Sequence, residues 1–253
     1  MQPSVGQRKG AAVFTGQDNR QRCWRTAAVV VMAGALTLSG CAKNSESGSG
    51  SGSDSTASTV TPTDLQLKPV QNIADTLPGD IRESGKLIVG VNIPYTPNEF
   101  KDAEGKIIGF DVDLMNAVAQ TLGLTADYRE SDFAKIIPSI DGGTYNVGMS
   151  SFTDTKEREK TVDFVTYFSA GTQWAQKPGA GIDPNNACGK KVAVQATTVQ
   201  ETEELPAKSK KCVDAGKPEI QIIKFDSQHA VTNAVVLGQA EAMSPDSPET
   251  AYA

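Results

Sequence analysis

Few side chains in this sequence could do bond-making chemistry, and their types narrow the options quickly. His229 is the sole histidine in 253 residues, so a His-rich metal site is excluded and a His-dependent nucleophile triad nearly so. It sits in Asp226–Val235 (DSQHAVTNAV), a helix surface by pattern, and has no assigned role. The four cysteines lack C-x-x-C zinc spacing. Glu99, Asp132 and Asp246 are available acids, but they form no distinctive pair for general acid–base work. Arg158 carries a guanidinium, which can clamp a carboxylate through two charge-assisted hydrogen bonds. Its neighbours Lys156, Glu157, Glu159 and Lys160 equally make that run a solvated surface. Gln195-Ala196-Thr197-Thr198 falls between an expected strand and an expected helix. Free N–H groups there favour an anion, or Thr197 or Thr198 simply caps the helix. Asp246 before Ser247-Pro248 suits a helix N-cap.

The elements that must position these residues alternate. Leu87–Val91 is a short apolar, β-branched run and reads as a buried strand. Phe100–Gly109, with Glu104-Gly105 at its centre, reads as a hairpin. Phe110, Leu114, Val118 and Leu122 recur every fourth residue, with Val112, Met115 and Ala119 beside them. That predicts a helix with one apolar stripe, capped by Gly123. A strand over 124–129, a helix over 133–140, a strand over 146–151, a short helical turn over 155–160 and an extended piece over 161–168 follow. The pattern restarts after Lys177-Pro178-Gly179: strand 191–195, helix 198–212, strand 219–225, helix 227–237, short strand 240–243 and the start of a helix at 247–253. Strand–helix alternation with short connections predicts α/β architecture with largely parallel sheets, in two units at 85–176 and 177–253. The second unit is the smaller and stops inside an element, so the expectation is a truncated chain.

Composition must be read by segment. Arg20, Arg22 and Arg25 precede the uncharged run 26–38, TAAVVVMAGALTL. That run is short for a bilayer span and suits the core of a signal peptide. Leu38-Ser39-Gly40-Cys41 resembles the bacterial lipobox, which implies cleavage after residue 40 and a lipid on Cys41. Beyond residue 40 the chain carries 19 basic and 29 acidic side chains, and the net charge of −6 for the whole argues against nucleic-acid binding. Residues 43–63 hold almost no apolar side chain and read as a flexible leash, with the linker extending over 41–84. Once Cys23 leaves with the signal and Cys41 takes lipid, Cys188 and Cys212 remain as one pair, expected as a disulfide in an oxidising compartment.

Gly109-Phe110-Asp111-Val112-Asp113-Leu114, with Val118, Ala119 and Leu122, resembles the signature of family 3 bacterial extracellular solute-binding proteins, the receptors of polar amino-acid ABC transporters. YTPNEFKDAEGKIIGFDVDL, DFAKIIPSI, GMSSFTDTKEREKTVDF and GKKVAVQATTVQE occur in that family's order, so the resemblance spans about 85–253. It implies a two-lobed, type II periplasmic-binding-protein (Venus flytrap) fold, with the second lobe and return segment incomplete. The ligand would lie between the lobes, at the carboxyl ends of the strands. The resemblance implies that Arg158 takes an α-carboxylate with Ser151 and Thr153 nearby, and that Asp246 takes an α-ammonium. It further implies ligand contacts from Gln195, Thr197 and Thr198, and packing of Tyr95 and Phe133 on the ligand side chain. Ala196 replaces the family's usual glycine, which puts the loop shape in question. Asn92 stands where several relatives carry an acid, and points to glutamine or glutamate rather than a cationic ligand. The implied protein is a monomeric binding protein, not an enzyme. It would carry no cofactor, touch the membrane only through lipid on its outer face, and deliver solute to a permease.

Overall fold

The computed structural model describes residues 66–252. The expected signal segment 1–40, the expected lipid site Cys41 and the Ser/Gly-rich run 43–63 lie outside the described residues. Two short helices open the described chain, α1 (Gln71–Ala74) and α2 (Gly79–Ser84). They fall in the stretch assigned to the linker from sequence. Leu77 and Ile81 pack on the first core, so apolar burial that the composition of 43–63 cannot offer is available here.

The first sheet is built from β1 (Lys86–Val91), β4 (Thr125–Glu130) and β5 (Val147–Gly148), all parallel, in the order β4-β1-β5. Between them run the hairpin β2 (Phe100–Lys101) and β3 (Ile107–Ile108), then α3 (Phe110–Thr121), with α4 (Phe133–Asp141) following β4. Val89 and Val91 in the central strand are fully buried and pack with Met115, Ala119 and Met149. The buried face of α3 is Asp111, Val112, Met115 and Ala119. This corrects the stripe read from sequence: Phe110 and Val118 are exposed, and Phe110 lies against Tyr167 and Phe168 instead. Gly109 enters the helix at φ 129°, and an added Cβ would lie 2.2 Å from the Asn98 carbonyl oxygen, so no other residue fits there.

The second sheet has the order β6-β9-β7-β8, with β6 (Ala175–Gln176), β7 (Lys191–Gln195), β8 (Gln221–Phe225) and β9 (Ala242–Met243). Its last three strands are mutually parallel, and β6 runs antiparallel to β9. The sheet is covered by α5 (Leu205–Asp214) and α6 (Gln228–Val236), and α7 (Ser247–Tyr252) closes the chain. The helix expected from residue 198 begins as a π-helical turn, Gln200–Glu204. Pro206 lacks the N–H for a regular helical bond, and a wider turn accommodates its ring. Cys188 and Cys212 are joined in a disulfide beside the core of Val192, Val194 and Leu205. Residues 161–168, expected as an extended piece, belong to no ladder among the described residues, and Val165 is 90% exposed. No helix among the described residues is long and apolar enough to cross a membrane.

Candidate functional site

Parallel strands deliver their carboxyl ends to one edge, and both sheets do so towards a shared gap. The first sheet supplies Asn92 just past β1 and Ser150 and Ser151 just past β5. Tyr95, Phe133, Thr153 and Arg158 come from the segments that follow. The second sheet supplies Gln195 from β7, Thr198, Val199 and Gln200 from the turn after it, and Asp246 from the segment after β9. Eight of the nine ligand residues singled out from sequence therefore line one cavity.

Thr197 is the exception. It is exposed and does not line the gap. Its N–H donates to Glu201 Oε2 at 3.1 Å, and its carbonyl accepts from Arg158 Nη2 at 2.9 Å. The positive φ of this turn falls on Thr197 (63°) and not on Ala196, so the exchange of glycine for alanine leaves the turn intact. Thr198 Oγ1 donates to the Gln195 carbonyl at 2.7 Å and accepts the Glu201 N–H, pinning the loop to the helix behind it.

Arg158 is anchored rather than solvated. Nη1 donates to the Thr153 carbonyl at 2.7 Å, and the guanidinium lies over the rings of Phe133 and Phe152, 5.6 and 5.4 Å from their centroids. The two rings stack with centroids 4.2 Å apart. Burial lowers the pKa of Arg158, opposed by the charges of Glu203 and Asp246. The Asp246 carboxylate accepts from Tyr95 Oη at 2.9 Å and from Gln200 Nε2 at 2.7 Å. Burial raises its pKa, and those two donors together with the Arg158 charge pull it back. No ion pair among the described residues joins Arg158 to Asp246, so the two opposite charges face one cavity with other partners in hand.

Among the described residues, the hydrogen bonds that cross the gap include Tyr95 to Asp246, Arg158 to Thr197, and Gln195 Nε2 to Asn92 Oδ1 at 2.8 Å. Gln195, read from sequence as a ligand residue, is buried and committed to Asn92 and to the Asp226 carbonyl. Glu249, one turn after Asp246, was not singled out. Burial and the Asp246 charge push its carboxyl up to about 7, and its Oε2 has no hydrogen-bond partner. Sequence reasoning also missed Ser150, Phe152 and Gln200. Ser150 and Phe152 flank Ser151 in the same quoted run, but nothing in a single sequence says which neighbours turn inward. No cluster of His, Cys, Asp and Glu among the described residues could hold a metal ion.

Comparison with known proteins places the geometry in context. Residues 87–248 match the family described as bacterial extracellular solute-binding proteins, family 3. The arginine-binding protein ArgT of Corynebacterium glutamicum is 39% identical over 229 residues, covering 90% of this chain and 72% of that one. A solved ancestral arginine-binding protein bound to glutamine aligns with a TM-score of 0.58 at 34% identity, over 66% of this chain and 72% of that chain. An ancestral amino acid-binding protein, a precursor of cyclohexadienyl dehydratase, aligns with a TM-score of 0.59 at 34% identity, over 68% and 75%.

Proposed function

The chain belongs to the bacterial extracellular solute-binding proteins, family 3, and we propose that it captures a polar amino acid, arginine first, between two lobes and hands it to a membrane permease. The lobes follow the two sheets, and the boundary falls before β6 rather than at the 176/177 expected from sequence, because β6 pairs with β9. The fold is the type II periplasmic-binding architecture. The observation that carries this reading is the placement of Arg158 and Asp246 on opposite sides of one cavity, each half-buried and neither paired with the other. A zwitterion satisfies both ends at once, and burying its charges is tolerable only where each meets an opposite partner. Arg158 grips the carboxylate, helped by Ser151 and Thr153. Asp246 grips the ammonium, with Thr198 and Gln200 beside it. Tyr95 and Phe133 form the apolar wall for the side chain, with Phe152 stacked on Phe133.

Asn92 favours glutamine or glutamate when the sequence is read alone. Two observations move the proposal to arginine. The carboxylates of Glu203 and Asp246 both act on Arg158, one more negative charge than positive, which a cationic side chain offsets. ArgT of Corynebacterium glutamicum is an arginine-binding protein by name. Glutamine remains the second ligand, since an ancestral protein of this fold named for arginine was solved with glutamine. The protein acts as a monomer held to the outer face of the membrane by lipid on Cys41. It returns its ligand unchanged; the fold also serves a precursor of a dehydratase, so ligand recovery is part of the test.

Titration calorimetry against the twenty amino acids decides the ligand. The expected order is arginine tightest, with glutamine weaker, and the bound compound recovered intact. Tightest binding to glutamine or glutamate returns the assignment to the sequence expectation. Binding of none, or chemical turnover, overturns the reading.

A further inference from the structure

Behind the cavity wall lie two carboxyl groups that touch no solvent. Glu99 is 0% exposed and Asp111 1% exposed. Asp111 Oδ2 accepts three donors: Tyr167 Oη at 2.7 Å, the Ser151 N–H at 3.1 Å and Ser151 Oγ at 3.2 Å. Glu99 Oε1 accepts one, Ser150 Oγ at 2.6 Å. The remaining oxygens, Glu99 Oε2 and Asp111 Oδ1, are buried with no N–H or hydroxyl donor. The two carboxyl groups lie close enough for the Asp111 charge to act on Glu99. Two acceptors cannot satisfy one another without a proton between them, and two bare carboxylates at that depth would repel. Asp111, with three donors, is the better ion, so the proton resides on Glu99.

The residues this pair grips are those just past β5 at the cavity. Ser151 holds φ 51°, a left-handed conformation unusual for a residue with a side chain. Its amide and hydroxyl are both drawn to Asp111, while Asn98 Nδ2 donates to its Oγ at 2.7 Å. Ser150 Oγ donates to Glu99 and accepts the Asn92 N–H at 3.0 Å. We infer that Glu99 and Asp111 share one proton, and that this acid–carboxylate pair is the positioning device that holds Ser150 and Ser151 in the form that receives the ligand's carboxylate. The second half of the inference rests on the amino-acid reading of the cleft; the first does not. Burial, then the Asp111 charge, pushes the Glu99 carboxyl well above its ordinary range. The other titratable groups facing the pair are Tyr167, Tyr128 from β4 and Glu249 from α7.

The test uses the full chain with glutamate ¹³C-labelled at the side-chain carboxyl. At pH 8.5, above the titration of Glu249, one glutamate carboxyl in the wild type is expected to remain protonated, and Glu99→Gln removes that signal. Arginine titrations at pH 7 then read the positioning role. Glutamine keeps an acceptor for Ser150 and supplies an N–H for Asp111, so Glu99→Gln is expected to bind within about 3-fold of wild type. Glu99→Ala and Asp111→Asn, with circular dichroism showing them folded, are expected to bind more than 10-fold more weakly. Full ionisation of every glutamate at pH 8.5 overturns the shared proton. Wild-type affinity in a folded Glu99→Ala or Asp111→Asn overturns the positioning role. If both fail to fold, the carboxyl signal still decides the proton, and loss of arginine binding by Glu99→Gln overturns the positioning role. If the wild type binds none of the twenty amino acids, the cleft reading falls and the positioning role with it, while the carboxyl signal still judges the shared proton.

Discussion

At the scale of single residues, the cleft runs on charges held short of neutralising each other. Arg158 is pinned by a backbone carbonyl on each side and by two aromatic rings, so its fork is aimed before a ligand arrives. Lysine cannot reproduce that fork. Arg158→Lys and Asp246→Asn are each expected to weaken amino-acid binding by at least about 30-fold, the equivalent of about 2 kcal/mol for one partner of a buried charge pair; calorimetry reads both. Glu249 adds a pH signature. Its folded carboxyl titrates near 7 against an ordinary value of 4.5. The stability it contributes is fully present below pH 4.5, where both states are protonated. It is lost as pH rises towards 7, because the unfolded chain releases its proton first. Melting curves from pH 4 to 8 should therefore show a steeper decline in wild type than in Glu249→Gln. Parallel curves would remove Glu249 from the account. Arg158 also shows how much a single sequence hides: the run Lys156–Lys160 looks solvated, and only the stacking of Phe133 on Phe152 brings the guanidinium inward.

At the scale of elements, position follows from strand polarity. Each parallel strand ends at the same edge, so Asn92, Ser150, Gln195 and Asp246 converge though they are far apart in sequence. The strands and helices were largely legible, because β1 and β7 are short β-branched runs and α4 and α6 are bounded by residues that start or stop helices. The face of α3 was not, because a buried carboxylate, Asp111, occupies a core position that hydrophobic periodicity assigns to apolar side chains. The second sheet is stapled by the disulfide between Cys188 and Cys212, whose sequence separation is 24. A closed loop of that size contributes about 3 kcal/mol through the unfolded chain. Urea unfolding of the double variant Cys188→Ser, Cys212→Ser should show a loss of that order, and no loss would mean that the core around Leu205 holds the region without the bridge.

At the scale of the whole molecule, side-chain bonds among the described residues span the gap, those of Tyr95, Arg158 and Gln195 among them, and opening must break them. Gln195→Ala removes the bond to Asn92 and lowers the closed population, which should weaken ligand binding by roughly 5-fold, from about 1 kcal/mol per buried hydrogen bond. Ligand present at 100 times its Kd should raise stability by about 2.7 kcal/mol in the wild type. Thermal melts with and without arginine measure both effects together.

What the sequence alone determined was local: where strands and helices run, which cysteines remain to pair, and which motif carries an arginine and an aspartate at chosen places. Those features depend on neighbours a few residues apart. What only the tertiary structure decided was which side chains share an enclosed space. That Thr197 turns out while Gln200 turns in, and that Glu99 and Asp111 both reach the serines past β5, follows from contacts between segments far apart in sequence. Long-range packing makes those contacts, and no periodicity in a single chain records them.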